Sequence, residues 1–133
     1  MTTLWRIATS WILPAIAGLL FIAVGLAKFI SPAWPANFAR WGYPAYAYVV
    51  VGLVEVVGGL ALLVPRFRVH AAVGLATVMV GAIATAALHG EPRFVRTASI
   101  YLLMVVAILV TSRLRIPSGA IRGRPAARRP DRE

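Results

Sequence analysis

Tyr46-Ala-Tyr-Val-Val-Val-Gly-Leu-Val-Glu55-Val-Val-Gly-Gly-Leu-Ala-Leu-Leu-Val64 is a run of nineteen residues with one charge, Glu55. A run of that length and apolarity is a candidate transmembrane helix. A carboxylate inside such a helix is costly, so it marks either a functional site or a paired buried charge. Glu55 lies nine residues past Tyr46, roughly 13 Å along the helix at 1.5 Å per residue. Burial and a cationic neighbour act on such a carboxyl in opposite directions, so the sequence leaves its protonation state open.

Working outward, the class follows from composition. The chain has 133 residues, of which 60% are hydrophobic and 14% charged, with a mean hydropathy of +0.81. A soluble domain of this size buries too little surface to hide so much apolar area. Four apolar segments, at about 11–30, 46–64, 70–88 and 94–111, predict an all-α membrane domain over residues 1–112. Arg6 ahead of the first segment imitates a secretory signal. The segment is long for one, and no small-residue cleavage site follows, so a retained first helix is expected. Between the first two segments, Pro32, Pro35 and Pro44 alternate with Trp34, Phe38, Trp41 and Tyr43. Such a stretch is expected flat at the headgroup level, with one amphipathic turn around Asn37–Trp41. Residues 113–133, rich in Arg, Pro and Gly, read as a basic disordered tail.

Charge placement gives the orientation. With four spans, Arg6, Arg66, Arg68 and the seven arginines after Thr111 share one side, while Lys28, Arg40, Arg93 and Arg96 share the other. Basic residues favour the cytoplasm, so both termini are expected there, in an antiparallel up-down four-helix bundle of the inner membrane. The net charge of +10 is then explained by topology and attraction to anionic lipids. Nucleic acid is not an expected partner, because no stacking aromatics accompany the basic tail.

Glycines recur at seven-residue spacing: Gly18 and Gly25, Gly52 and Gly59, Gly74 and Gly81. Each pair lies near one stripe of its helix and is a candidate packing position where backbones approach closely. Lys28 shares a stripe with Gly18, Phe21 and Gly25, and Glu55 shares one with Gly52, Gly59 and Leu62. Lys28 sits only about 3–5 Å inside its end of the hairpin, so both a direct and a water-linked pair with Glu55 are within reach. Lys28 and Glu55 are the candidate catalytic residues, with a structural ion pair as the competing reading. His89, Arg40 and Tyr101 are candidate ligand-binding residues around the same mouth. His70 and His89 lie at opposite ends of the third segment and cannot share a metal. Cysteine is absent, which excludes thiolate metal sites and thiol redox chemistry.

Gly25-Leu-Ala-Lys28-Phe, Trp41-Gly-Tyr-Pro44 and Val51-Gly-Leu-Val-Glu55-Val-Val-Gly-Gly59-Leu-Ala-Leu-Leu together resemble the DoxX-like membrane proteins, across about residues 12–112. The resemblance implies four membrane helices, with Lys28 and Glu55 at the motif's charged positions. It also implies association with redox systems, since relatives include subunits of quinol oxidase and thiosulfate:quinone oxidoreductase. Animal relatives are instead receptor-assembly chaperones. Two functions therefore stand as expectations. One is a quinone-interacting or accessory membrane subunit of an oxidoreductase, with no intrinsic cofactor. The other is a non-catalytic scaffold or assembly factor. The sequence leaves homo-oligomerisation open.

Overall fold

The computed structural model describes residues 2–114, all of whose regular structure is helical. Beyond Leu114 the basic tail lies outside the described residues. The order is α1 (Thr2–Ile7), a π-helical segment (Ala8–Ile12), α2 (Leu13–Ile30), α3 (Ala33–Arg40), α4 (Ala47–Leu63), α5 (Arg68–Leu88) and α6 (Pro92–Arg113). The first three run on as a single helix, Thr2–Ile30.

The chain is thus helical nine residues ahead of Trp11, where the first helix was expected to start. Pro14 lies inside this continuous helix, one residue into α2. Proline has no N–H to donate and its ring crowds the carbonyl four residues back, which here is Ser10. The π turn widens the helix at that point, and Arg68 donates from Nη1 to the Ser10 carbonyl at 2.9 Å. The same guanidinium donates from Nε to the Leu62 carbonyl at 3.0 Å, tying the end of α4 to the first helix.

α3 and α5 both end in Schellman caps. Gly42 has φ +81° and Gly90 has φ +66°, a conformation that glycine adopts without a Cβ penalty. After α3, the N–H groups of Gly42 and Tyr43 donate to Ala39 and Phe38; after α5, those of Gly90 and Glu91 donate to Ala87 and Ala86. These caps place Tyr43 and Glu91, both of which matter below. Pro92 then opens α6, at a position where its missing N–H does no harm.

α2 packs on α4, α4 on α5, α5 on α6, and α6 back on α2. The tightest seam is α2 with α4. A Cβ added to Gly18 would lie 2.7 Å from the Gly59 carbonyl oxygen, and one on Gly59 the same distance from that of Gly18. A Cβ on Gly25 would stand 2.8 Å from the Gly52 oxygen. Gly18 opposite Gly59 and Gly25 opposite Gly52 fix these two helices as antiparallel. On α5 the same spacing means something else: a Cβ on Gly74 or Gly81 would meet nothing within 4 Å, so neither marks a close approach. The second small residue at work is Gly58, whose Cβ would strike Leu75 of α5 at 2.7 Å.

Phe21, Leu62, Leu75, Val105 and Ile108 form the centre, with Ala17, Ala72 and Ala98 between them. The outer faces are apolar: Leu19, Leu53, Val57, Leu60, Ile100, Leu103 and Val110 are more than half exposed. Exposed apolar surface on this scale marks contact with lipid or another protein. Three helices, Thr2–Ile30, Arg68–Leu88 and Pro92–Arg113, are long and apolar enough to cross a membrane, while α4 is a shorter apolar helix. Its 17 residues span about 26 Å.

Candidate functional site

Lys28 and Glu55 meet inside the helices. The buried residues of α4 are Gly52, Glu55, Gly59 and Leu62, so the stripe that brings the two backbones together also turns Glu55 inward. On α2 the buried set Gly18, Phe21, Gly25 and Lys28 does the same. Lys28 Nζ donates to Glu55 Oε2 at 2.6 Å, and the two side chains are only 4% and 2% exposed. Nζ also stands 4.2 Å from the centroid of the Trp34 ring, within the range where an ammonium is held by an aromatic face.

The pair lies on the wall of a cavity of about 310 Å³, bounded by α2, α4, α5 and α6 and by α3. Its lining is dominated by aromatic rings: Phe21, Trp34, Phe38, Trp41, Tyr43, Phe94 and Tyr101. Tyr101 meets Phe21 edge-on at 5.1 Å. Besides the ion pair, the polar side-chain groups of the lining are the hydroxyls of Tyr43, Thr85, Thr97 and Tyr101 and the indole N–H groups of Trp34 and Trp41, the latter given to Glu91.

The segment expected to lie flat with a single turn is instead a two-turn helix that roofs this cavity. Trp34, Phe38 and Trp41 recur at the spacing of one helix face, and that pattern was the available sign. Phe38 is 7% exposed and touches the rings of Trp34, Trp41, Tyr43 and Tyr48 at 5.4–6.5 Å. Phe94 of α6 meets both tryptophans, Trp41 at 5.6 Å and Trp34 at 5.7 Å.

Glu91 pins this roof to the α5–α6 turn. It pairs with Arg40 and accepts the indole N–H of Trp41 at 3.1 Å. The Tyr43 and Thr85 hydroxyls bond at 2.6 Å. No local pattern in the sequence marks Glu91 for this role, because its partners lie fifty residues away.

The remaining expected residues divide. Tyr101 lines the cavity with the ion pair, whereas Arg40 and His89 do not. Arg40 is 60% exposed and serves the roof through Glu91 and Asn37. His89 is exposed; its Nδ1 donates to the Thr85 carbonyl at 2.7 Å, and its ring lies 6.4 Å from Trp41. His70 stands at the opposite end of α5. Among the described residues no three His, Cys, Asp or Glu side chains cluster as metal ligands would.

The arrangement can hold a small, largely apolar ring and address one polar edge of it with an ammonium, a carboxyl and a phenol. Neither the curated proteins nor the solved structures contain a match to this chain. The family comparison matches residues 12–109 to the DoxX-like family, a span that carries both charged motifs and the roof between them. The chain belongs to the DoxX-like family, and with its long apolar helices it is a multi-pass integral membrane protein.

Proposed function

We propose that the protein is a four-helix, up-down membrane bundle that serves an oxidoreductase system of the inner membrane as a quinone-interacting or accessory subunit. The observation that carries this reading is the aromatic-roofed cavity of about 310 Å³ with the Lys28–Glu55 pair on its wall. Pockets for small ligands begin near this size and combine apolar walls with a few convergent polar groups. A quinone ring fits those terms: it is flat, neutral and edged by carbonyl oxygens, and when bound it supplies a carrier of two electrons and two protons.

Trp34, Phe38 and Phe94 seat the ring. Lys28 Nζ, and the Tyr101 hydroxyl, donate to a carbonyl oxygen. Glu55 orients Nζ and exchanges a proton with it, and the roof keeps water out. In this reading α4 is the fourth crossing, at the lower limit of spanning length. Both termini are cytoplasmic, and the basic tail adds about 1 kcal/mol of attraction to anionic lipid per basic residue near the surface.

The test is purification in mild detergent, followed by organic extraction and by quinone titration read through tryptophan quenching. The expected result is a co-purifying quinone and saturable quenching that weakens about tenfold in Lys28→Met, the loss of one charge-assisted hydrogen bond. Absence of quinone together with a stoichiometric protein partner refutes the reading in favour of a scaffold.

A further inference from the structure

Lys28 is the one lysine among the 14 lysine and arginine residues of the chain. Arginine is the usual choice for a buried ion pair, since its planar fork meets a carboxylate with two parallel hydrogen bonds. A lysine at the one buried cationic position among the described residues, its side chain 4% exposed, therefore calls for something a guanidinium lacks. A lysine amine freed of its proton carries a lone pair that attacks carbonyl carbon, which a guanidinium does not offer. The surroundings meet both needs. Glu55 Oε2, 2.6 Å from Nζ, is a proton acceptor already in place. Both groups line the cavity, so a ligand seated there lies within reach of Nζ.

Charge narrows the ligand class. Among the described residues, Lys28 and Glu55 are the only charged ones lining the cavity, and they neutralise one another. An anion finds no spare cation there, and a cation finds no spare carboxylate. What remains is a neutral molecule whose ring suits the aromatic walls and whose polar edge suits the amine.

We infer that Lys28 is a nucleophile that captures a lipid-soluble, ring-bearing aldehyde as an imine. The inference rests on the reading of the cavity as a seat for a membrane-soluble ring compound. Glu55 takes one proton from the ammonium, and the freed amine adds to the carbonyl carbon. The C=O π electrons pass to oxygen, which receives a proton from the nitrogen to give a carbinolamine. The nitrogen lone pair then expels the hydroxyl, which leaves as water with the proton that Glu55 returns. One ammonium and one aldehyde give one iminium and one water, with nothing oxidised or reduced. The positive charge stays on nitrogen beside the Glu55 carboxylate, so the buried pair survives the reaction.

The purified full-length protein, in mild detergent, is incubated with trans-cinnamaldehyde and sodium cyanoborohydride, which reduces an iminium to a stable amine. Peptide mass spectrometry then maps the label, with the α-amino group as the reference amine in water. The expected result is a cinnamyl group on Lys28 in excess of that on the α-amino group, and its loss from the core in Lys28→Arg. Glyoxylate, a charged aldehyde, should label the α-amino group and leave Lys28 untouched. Label confined to the α-amino group of the wild-type protein overturns the inference, and so does equal labelling of Lys28 by glyoxylate. Quinone titration of the same preparation separates the two proposals. Binding of quinone without imine formation removes the nucleophile and keeps the quinone site, while an imine without quinone binding does the reverse.

Discussion

Single and double deletions of the Lys28–Glu55 pair should have opposite consequences. Nζ and Oε2 are 2.6 Å apart, with side chains 4% and 2% exposed. At an effective dielectric constant of ~20 the attraction at that separation is about 6 kcal/mol. Removing each ion from water costs several kcal/mol, so the two effects nearly cancel and the intact pair adds little net stability. Lys28→Met leaves Glu55 buried without its partner and empties the face of Trp34. The expected loss is about 3–5 kcal/mol, and Glu55→Met should cost a similar amount. The double variant Lys28→Met with Glu55→Met should unfold within about 1 kcal/mol of wild type, or above it, because apolar side chains of similar volume fill the space without desolvation. Unfolding in mixed micelles against the mole fraction of denaturing detergent, followed by helical circular dichroism, measures all four proteins. Single variants that each lose less than about 1 kcal/mol, as an exposed surface pair would, refute the buried-pair account. Quinone titration of the double variant adds the functional half: it should be well folded and bind weakly.

The glycine seam makes a second prediction. Gly18→Ala places a methyl 2.7 Å from the Gly59 carbonyl and should lower stability by about 1–3 kcal/mol. Gly74→Ala meets nothing within 4 Å and should be neutral or raise stability by up to ~1 kcal/mol. Glu91→Gln weakens its hold on Arg40, a half-exposed pair worth under about 1 kcal/mol, and should act on the roof more than on global stability. It should show as faster amide exchange in α3 and stronger acrylamide quenching of tryptophan. Because the chain contains no cysteine, Ser31→Cys and Phe67→Cys give clean topology reporters. An impermeant maleimide applied to intact cells should label the first and spare the second.

What could be read from the sequence was local along one helix, and what could not depended on a partner far away in the chain. Gly18, Gly25, Gly52 and Gly59 share stripes with Lys28 and Glu55, so helical spacing put each charge on a glycine-bearing face. A direct and a water-linked pair both stayed open until the structure placed Nζ 2.6 Å from Oε2. Gly74 and Gly81 carry the same spacing with a different outcome, because spacing says which face a residue shares but not what stands opposite. That the first helix runs back through Pro14 was not legible either, since the Arg68 guanidinium that meets the Ser10 carbonyl comes over fifty residues later. Nothing local marks Glu91, because its partners Arg40 and Trp41 lie fifty residues earlier in the chain. The roof itself was legible in principle, since Trp34, Phe38 and Trp41 lie on one face. The three prolines around them argued more loudly for an irregular loop, though Pro32 serves as the N-cap of α3 and Pro35 falls within its first turn, where proline costs little.

α4 bears on the surrounding lipid as well as on the site. At 17 residues its apolar length is about 26 Å, some 4 Å less than a typical hydrocarbon core. Its neighbours run to 21, 22 and 29 residues. If α4 is the fourth crossing proposed above, the bilayer thins beside it, at a fraction of a kcal/mol per Å. Such a dimple would bring the water boundary closer to the buried Glu55. Lipid chain length would then bear on the site: short-chain bilayers relieve the deformation and long-chain bilayers deepen it. Under that reading, ligand binding should follow membrane thickness even where the cavity residues are unchanged.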